Sequence, residues 1–371
     1  MKNRFFGEIG GRFGFGCMRL PMRGEAVDRE QFGKMVDAFL DAGLNYFDTA
    51  QVYLGGQSEM ALRACLTSRY PRERFVLTDK LSGSCFRTQE DIRPFFRSQL
   101  EACGVEYFDF YLMHAQNAKN YETYKACRAY ETAFALKKEG KIRHVGISFH
   151  DSAETLDRIL TEYPEIECVQ IQFNYADYDD PIVQSRRVYK TAVKHGKPVI
   201  IMEPVKGGRL AELPEEAQRR FEALGGGSSA SYALRFAAGF ENVMMVLSGM
   251  STLGQMEENL SFMAEPVPLN EAEQSAVAEA REIFRRQGLI ACTACRYCVD
   301  GCPKQIPIPD LFGCMNAVTR CDPADHEAVY AKLTEGKGKA SDCVKCGACE
   351  RICPQHLPVR KLLQRIAWAL E

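Results

Sequence analysis

Residues 292–303 read CTACRYCVDGCP, and residues 343–354 read CVKCGACERICP. Both stretches carry four cysteines with the spacing C-x2-C-x2-C-x3-C, and a proline directly follows the last cysteine. Three cysteines on one tight loop can face three corners of an iron–sulfur cubane, whose irons are held by thiolates. The repeated spacing therefore predicts two [4Fe–4S] clusters in the C-terminal part of the chain.

This spacing resembles that of bacterial two-cluster ferredoxins, in which the fourth cysteine of each run binds the other cluster. The resemblance implies two crossed ligand sets, one made of Cys292, Cys295, Cys298 and Cys353 and the other of Cys343, Cys346, Cys349 and Cys302. Structural zinc is the alternative for paired cysteines, but a zinc site needs only four ligands. Two complete quartets favour clusters.

The composition of the whole chain restricts the classes of function that remain. The chain has 371 residues, a net charge of −2 and no apolar run of the length, about 18 residues, that spans a membrane. We therefore expect neither nucleic acid as a partner nor a membrane span. Sixteen cysteines without a secretion signal indicate metal binding in a reducing compartment, and we expect a cytoplasmic protein. The eight cysteines outside the two runs, Cys321 among them, are expected to pack as small hydrophobic residues.

Short apolar runs alternate with longer amphipathic patterns between residues 13 and 263. The predicted strands are Phe13–Cys17, Asn45–Asp48, Phe75–Thr78, Phe108–Met113, His144–Ser148, Cys168–Phe173, Pro198–Met202 and Met244–Leu247. The predicted helices are Arg29–Ala42, Ser58–Ser68, Gln89–Cys103, Tyr121–Glu139, Ala153–Glu162, Pro181–His195, Ser229–Ala238 and Leu253–Met263. Eight such units over about 260 residues predict a (β/α)8 TIM barrel. An open doubly wound sheet is the alternative, because periodicity does not reveal whether a sheet closes.

The pattern changes after the barrel. We expect the barrel to occupy residues 1–265, a linker helix residues 266–289 and a two-cluster domain residues 290–371. Asn270 and Glu273 form a capping-box pattern at the start of a helix predicted over Glu271–Arg286. Further helices are predicted at Pro309–Val318, Ala324–Leu333 and Leu357–Leu370, so the ferredoxin-like domain should be small and mainly helical.

Polar side chains stand at the ends of three neighbouring predicted strands. Asp48 ends the second strand and Tyr53 follows it, Lys80 comes at the end of the third, and His114 at the end of the fourth. In a TIM barrel these positions converge on the catalytic face. Their chemistry suits carbonyl reduction: Tyr53 can give a proton, a lysine cation can stabilise the phenolate, and a histidine can orient the carbonyl oxygen. We expect Asp48 to hold Lys80 charged and in place.

Several stretches resemble the aldo-keto reductase family. They are Gly14–Pro21, Phe47–Glu59, Thr78–Lys80, Tyr111–His114, Gly146–Ser148, Gln170–Asn174 and Leu247–Asn259, and they occur in the family's order. The resemblance implies a barrel that uses a nicotinamide cofactor, with Asp48, Tyr53, Lys80 and His114 as its catalytic tetrad.

The same resemblance implies the residues that contact the cofactor. Ser148 and Gln170 would bind the nicotinamide carboxamide, and Met202 would occupy the position from which the family often stacks an aromatic ring. Gly249, Met250 and Ser251 would lie near the phosphates, and Gln255, Glu258 and Asn259 near the adenosine. Lys206 or Arg209 would supply a phosphate contact. Gly249 and Gln255 replace the basic residues of NADP-preferring members, so NADH is expected as readily as NADPH.

Three functions remain open from the sequence. The first is an NAD(P)H-dependent oxidoreductase that reduces an aldehyde or ketone, or oxidises the alcohol, and whose clusters exchange electrons with a redox partner such as a ferredoxin or flavoprotein. The second is an electron-transfer protein or flavin-linked reductase in which the barrel is scaffold or regulator, although no flavin motif is present. In the third, the clusters are purely structural.

Overall fold

A closed barrel of eight parallel strands forms the larger part of the chain. The computed structural model describes residues 3–320 and 325–371. Each strand pairs with the next along the chain, and the first pairs with the last through Phe13 and Val246. This confirms the predicted barrel and excludes the open sheet. The strands are β1 (Phe13–Gly16), β2 (Tyr46–Asp48), β3 (Val76–Leu81), β4 (Phe108–Gln116), β5 (Ile142–Phe149), β6 (Cys168–Gln172), β7 (Val199–Met202) and β8 (Val243–Ser248).

Helices cover the outside of the barrel. They are α1 (Arg29–Asp41), α2 (Gln57–Leu62), α3 (Gln89–Cys103), α4 (Ala118–Ala126), α5 (Ala129–Lys138), α6 (Ala153–Glu162), α7 (Ser185–Lys194), α8 (Glu215–Glu222), α9 (Ser229–Ala238) and α10 (Leu253–Met263). A short antiparallel hairpin pairs Met22–Arg23 with Ala26–Val27. Because the strands are covered on both faces, they are almost continuously buried, as in β3, where all six residues are inaccessible.

The barrel interior is filled by apolar side chains from many strands. Tyr46, Phe110, Ile200 and Met245 belong to one buried cluster, which also includes Ile9 from the segment before β1. The Asn3 side chain donates to the Met244 carbonyl over 2.6 Å and fixes that segment to β8. The interior is therefore a packed core, and a pocket can form only beyond the carboxyl ends of the strands.

One helical prediction was wrong. The single helix expected over Tyr121–Glu139 is divided into α4 and α5, because Arg128 between them adopts φ +52°, which no right-handed helix can contain. Helix α8 lies in a stretch for which no helix was predicted, and only two of its residues, Ala217 and Phe221, are buried.

The described chain divides into two compact units. The first runs to Pro204 and resumes at Ala230–Gln274, and the second combines Val205–Ser229 with Ser275–Glu371. The loop that leaves β7 and helix α8 therefore pack with the C-terminal segment. The remaining helices are α11 (Glu271–Arg286), α12 (Tyr297–Asp300), α13 (Ile308–Arg320), α14 (His326–Thr334), α15 (Ala348–Ile352) and α16 (Val359–Leu370).

The second unit has a core of its own. Leu311 and Phe312 of α13 pack with Leu363 and Ile366 of α16, and Cys349 of the second cysteine run lies in the same cluster. This helical character was predicted. Cys321, and Ala324 at the start of a predicted helix, lie outside the described residues. Among the described residues, no helix has the length and apolar character that crossing a membrane requires.

Gly146 in β5 allows the closest packing inside the barrel. A Cβ atom there would lie 2.6 Å from Cys168 Sγ and 2.8 Å from the Cys168 carbonyl oxygen. We expect Gly146→Ala to lower the free energy of unfolding by about 1–3 kcal/mol, because the neighbouring backbone must shift. Gly254→Ala is the matched control, since no atom lies within 4 Å of its added Cβ. Equal urea midpoints for the two variants would contradict this account of the packing.

Candidate active site and cysteine centre

A buried ion pair lies at the carboxyl ends of β2 and β3. Lys80 Nζ is 2.6 Å from Asp48 Oδ1 and also donates to the Thr49 carbonyl over 2.7 Å. The lysine side chain is wholly inaccessible to solvent. The Gln170 side chain on β6 donates to the other oxygen of Asp48 over 2.9 Å, so both carboxylate oxygens are satisfied. Burial of two charges is costly unless they are paired and hydrogen-bonded, and this arrangement meets both conditions.

Tyr53 and His114 lie beside this ion pair. Lys80 Nζ is 4.8 Å from the centre of the Tyr53 ring, and the Tyr53 and His114 ring centres are 6.0 Å apart. His114 Nδ1 lies 2.7 Å from Ser82 Oγ. Burial, reinforced by the Lys80 and His150 charges, holds the pKa of His114 well below its usual range. The imidazole is therefore neutral at physiological pH. One of its ring nitrogens carries a proton and donates a hydrogen bond, and the other accepts one.

The structure brings the four predicted tetrad residues together, from the turn after β2 and from strands β2, β3 and β4. Tyr53 begins a short 3-10 turn in which Leu54 and Gly55 have positive φ angles of 53° and 63°. This turn reverses the chain directly after β2. Lys80 and His114 lie inside longer strands than predicted, because β3 continues to Leu81 and β4 to Gln116.

Some of the residues predicted to contact a cofactor lie at the same end of the barrel. Ser148 ends up buried in β5, and its Oγ has no hydrogen-bond partner among the described residues. Ser251 and Gln255 are bonded to each other across the start of α10, where Ser251 N donates to Gln255 Oε1 over 2.8 Å. Asn259 is buried and donates to Ser248 Oγ at 3.4 Å. The remaining predicted positions are Gln170 in β6, Met202 at the end of β7, Gly249 and Met250 after β8, and Glu258 in α10.

Lys206 differs from the other predicted cofactor residues, because it belongs to the second unit. It is buried and has φ +49°. Its neighbour Arg209 donates to the Ile290 carbonyl over 3.0 Å and lies over the Phe284 ring. A Cβ at Gly207 would lie 2.6 Å from the Thr293 carbonyl oxygen, inside the first cysteine run. This loop is thus packed against the chain that carries the cysteines.

Arg19 is a cation that the sequence reasoning did not select. It follows β1, its guanidinium lies 3.6 Å from Glu203 after β7, and its side chain passes Gly249 at van der Waals distance. The Ser251 hydroxyl donates to the Arg19 carbonyl over 3.0 Å. Arg19 therefore places a positive charge beside Gly249, one of the two positions at which the expected basic residue is missing. Its position two residues beyond Cys17, in a stretch already quoted for the resemblance, is the signal that could have indicated it.

A buried pair of carboxyl groups lies on the opposite face of β3 from Lys80. Asp79 and Glu59 share a hydrogen bond, and burial raises the pKa of both, Asp79 further because Glu59 is next to it. Asp79 Oδ1 accepts from the Lys80 backbone N–H over 2.7 Å, and Gln99 donates to Glu59. Two carboxyl groups in contact cannot both ionise, so the pair retains a proton. Because successive side chains in a strand point to opposite faces, the sequence could have predicted that Asp79 lies on the other side of β3 from Lys80.

The two cysteine runs have the same backbone conformation. The residues two and four positions after the first cysteine have positive φ in both runs: 53° and 64° at Ala294 and Arg296, and 59° and 71° at Lys345 and Gly347. A short helix, α12 or α15, begins directly afterwards in each. The repeated sequence therefore produces a repeated loop that turns its cysteines toward one side.

Cysteines from the two runs meet in crossed groups. Burial, followed by the neighbouring Cys295, Cys292 and Cys353 thiols, raises the pKa of Cys298 to about 12. Cys353 of the second run therefore lies with the first three cysteines of the first run. Conversely, Cys302 lines one pocket together with Cys343, Cys346 and Cys349. Each group offers the four sulfur atoms that a cubane needs.

Comparison with known proteins assigns the barrel. The model of the aldo/keto reductase family matches residues 12–282, which is more than half of the chain. The chain belongs to the aldo/keto reductase family. A second model, described as a 4Fe-4S dicluster domain, matches residues 291–357. The chain is thus an oxidoreductase of this family that carries an iron–sulfur domain after its barrel.

Several relatives share part of the aldo/keto reductase barrel. The NADH-specific methylglyoxal reductase of Escherichia coli is 28% identical over 162 residues, which cover 38% of this chain and 48% of that protein. The chain thus spans about half the length of that relative. An uncharacterized oxidoreductase of Schizosaccharomyces pombe is 26% identical over 67% of this chain and 80% of its own.

Solved structures share the fold. An aldo-keto reductase of Klebsiella pneumoniae in complex with NADPH has a TM-score of 0.60 at 20% identity, and the match covers 76% of this chain and 95% of that one. The holo form of an aldo-keto reductase from Bacillus halodurans has a TM-score of 0.59 at 24% identity over 76% and 96%. Both establish the (β/α)8 architecture for this aldo/keto reductase.

The shared proton of Asp79 and Glu59 predicts a pH dependence of stability. Unfolding exposes both groups, whose pKa values return to about 4, so the unfolded chain binds fewer protons at neutral pH than the folded chain. The free energy of unfolding should therefore fall as pH rises above about 4, by up to about 1.4 kcal/mol per pH unit, until the folded pair loses its proton. Asp79→Asn removes this proton and should flatten the profile in urea melts between pH 5 and 8. The exposed Asp41→Asn serves as control, and an unchanged slope in Asp79→Asn would contradict the shared proton.

Proposed function

We propose that this barrel reduces the carbonyl group of a small aldehyde or ketone with a nicotinamide cofactor, or oxidises the corresponding alcohol. The observation that carries the proposal is the buried Lys80–Asp48 ion pair lying next to the Tyr53 ring. A proton donor beside a fixed cation is the arrangement that carbonyl reduction requires. The bound nicotinamide would supply the hydride, and the residues of this chain would supply the proton and the orientation.

Tyr53 is the proposed general acid in the direction of reduction. Its hydroxyl would pass a proton to the carbonyl oxygen as negative charge develops there. Lys80 would stabilise the phenolate left behind, and Asp48 with the Thr49 carbonyl would keep the lysine charged and immobile. His114, held neutral by burial and anchored through Nδ1 at Ser82, would orient the carbonyl oxygen.

The polar groups at the carboxyl end of the barrel fit the proposed cofactor contacts. The buried Ser148 hydroxyl, which lacks a partner among the described residues, would bond the nicotinamide carboxamide together with Gln170. A buried hydroxyl without a partner is costly, so a ligand that satisfies it gains affinity. Helix α10 begins with Thr252 as its cap, and its first backbone N–H groups would face the phosphates with Gly249, Met250 and Ser251.

The proposal leaves both nicotinamide dinucleotides as cofactors. Arg19 would add a cation near the phosphates, while Met202 would contact the nicotinamide and Gln255, Glu258 and Asn259 the adenosine. Lys206 would take part only through its loop, since its side chain is buried. One relative is named as an NADH-specific reductase and one similar solved structure contains NADPH, which supports either cofactor for this chain.

We also propose two [4Fe–4S] clusters with crossed ligand sets, Cys292, Cys295, Cys298 and Cys353 for one and Cys302, Cys343, Cys346 and Cys349 for the other. The cross-neighbour relation of Cys298 with Cys353, and the common cavity of Cys302 with the second run, support this assignment. The backbone N–H of Ala294 already points at Cys292 Sγ over 3.4 Å, the kind of donor that stabilises thiolate ligands.

Electron transfer through the clusters is the second candidate function. It is favoured by the exposure of Cys346, which would bring one cluster to the protein surface. A hydride carries two electrons together whereas a cubane passes one at a time, so a flavoprotein partner, whose flavin accepts an electron pair and releases single electrons, would connect the two steps. In this function the barrel would be scaffold or regulator, and the clusters would exchange electrons with a separate redox partner.

The test of the proposed reductase is Tyr53→Phe. We expect kcat/KM for small carbonyl substrates, methylglyoxal among them, to fall about 10²–10⁴-fold with NADH or NADPH, because the proton donor is lost. Tyr163→Phe is the matched control, since its hydroxyl only reaches Glu131 at 3.4 Å on the outer surface. Wild-type protein that oxidises neither cofactor with any carbonyl would refute the proposal.

Double variants test the crossed ligand sets. Anaerobically purified protein should contain about eight irons, four in each cubane. Cys298→Ser combined with Cys353→Ser should remove one cluster and about four irons, because both would bind the same cubane. Cys298→Ser combined with Cys302→Ser should remove both clusters.

Uncrossed sets reverse these two results, so iron counting decides between the arrangements. Cys314→Ser is the control, because Cys314 donates to the His326 carbonyl in the core of the second unit and lies outside both runs. It should retain about eight irons.

A further inference from the structure

The surface around the second cysteine run is unusual in its exposure. Val344 and Ile352 expose 55% and 53% of their area, and Cys346 is the one exposed cysteine among those described. Exposed apolar side chains scattered singly need no explanation, but these flank a cysteine proposed to bind iron. A ligand at the surface gives a redox partner the shortest approach to a cluster.

Helix α16 packs beside the second cysteine run, because Arg360 and Leu363 line the same pocket as Cys343, Cys346 and Cys349. Its apolar side chains Val359, Leu363 and Ile366 are buried in the core of the second unit. Lys361, Arg365 and Trp368 follow one another at helical spacing on the outside, and Trp368, the single tryptophan of the chain, is 89% exposed. The outward face of α16 is therefore basic and ends in a large aromatic ring.

Two arginines connect α16 with the cysteine loop. Arg351 donates to the Cys346 carbonyl over 3.0 Å, and Arg360 lies 2.7 Å from Glu350 on α15. Both guanidinium groups lie within 4 Å of a Cβ built at Gly347. We call the exposed residues Val344, Lys345, Arg351, Lys361, Arg365 and Trp368 together the basic cluster face.

The charge of the basic cluster face is not neutralised locally. Residues 337–371 contain seven Lys or Arg and three Asp or Glu, although the chain as a whole has a net charge of −2. The three acidic groups are engaged: Glu350 pairs with Arg360, Asp342 accepts from the Lys339 backbone and Glu371 from Ser341.

By contrast, Lys345, Lys361 and Arg365 form no ion pair with any part of the chain that the structure describes. Their charges are directed to solvent and remain available to a partner. Positive potential of this kind accelerates encounter with a negatively charged surface.

We propose that the basic cluster face docks an acidic electron-carrier protein, one that holds a flavin or an iron–sulfur centre. The proposal rests on the proposed cluster at Cys346. In each encounter one electron would leave the reduced centre of one protein and enter the oxidised centre of the other, with no bond or proton exchanged. Trp368 and the arginines belong to the residue types enriched at protein interfaces.

An anionic membrane fits this surface less well than a protein. A helix that lies in a membrane interface inserts its apolar face among the lipids. The apolar face of α16 is already used in the core of the unit, and Trp368 is the one large apolar side chain on its outward face. Basic residues alone would bind lipid headgroups without placing the cluster near any electron acceptor.

The test measures binding of a strongly acidic plant-type [2Fe–2S] ferredoxin to the anaerobically purified full chain by calorimetry. We expect a salt-sensitive complex whose Kd rises at least tenfold in the double variant Lys361→Glu, Arg365→Glu, and severalfold in Trp368→Ala. Lys119→Glu with Lys190→Glu is the matched control, which makes the same charge change on α4 and α7 and should leave Kd within about twofold.

Other readouts separate this proposal from the proposed function. Iron content and carbonyl reduction are measured on every variant and should not change. The binding result therefore does not depend on whether the barrel proves to reduce carbonyl compounds. The proposal is overturned by wild-type protein that does not bind the ferredoxin, or by equal losses in test and control variants. It is also overturned if the same charge reversal abolishes binding to phosphatidylserine vesicles or self-association but not binding to the ferredoxin.

Discussion

The buried contact between Lys80 and Asp48 is the interaction on which the barrel chemistry depends. It joins neighbouring strands β2 and β3, and Gln170 adds a bond from β6 across the barrel. Loss of either charged partner would leave an uncompensated buried charge, at a cost of about 3–5 kcal/mol. The ion pair requires β2 and β3 to pair in register, and Gln170 reaches Asp48 only across the closed barrel, so the fold and the proposed proton donor are specified together. The carboxyl pair behind β3 retains a proton and therefore adds at most one further negative charge near the lysine.

The two units contribute different kinds of chemistry. The barrel is built for transfer of two electrons as a hydride, and the cysteine runs for single electrons. Along the chain they are connected at the end of β7, where the loop Val205–Ser229 leaves the barrel and packs with the C-terminal segment. Gly207, with φ +66°, lies directly against the Thr293 backbone of the first cysteine run, a contact that no larger residue could make. The loop that the family resemblance placed near the cofactor is therefore also part of the iron–sulfur unit's packing.

Local patterns made most of the barrel predictable. Buried parallel strands are continuous apolar runs, and the expected ends of β2, β3 and β4 singled out Asp48, Lys80 and His114 as candidates. The repeated cysteine spacing likewise specified a repeated loop. The features that escaped prediction depend on contacts distant in sequence. Arg19 pairs with Glu203, which follows it by most of the length of the barrel. Asp79 shares a proton only because α2 places Glu59 next to it. Arg128 interrupts a helix through a positive φ angle, which the periodicity of apolar residues does not predict.

The central claim is that the barrel transfers hydride directly from a nicotinamide to a carbonyl carbon, with its own residues supplying the proton. The most direct test supplies NADH or NADPH deuterated at C4 of the nicotinamide ring together with a carbonyl substrate. The alcohol product is then analysed by mass spectrometry and NMR. The account predicts one deuterium on the carbinol carbon, from one face of the nicotinamide ring only and in water of natural isotopic abundance. A product without deuterium, formed while the cofactor is consumed, would show that the electrons travel by another route and would contradict the account.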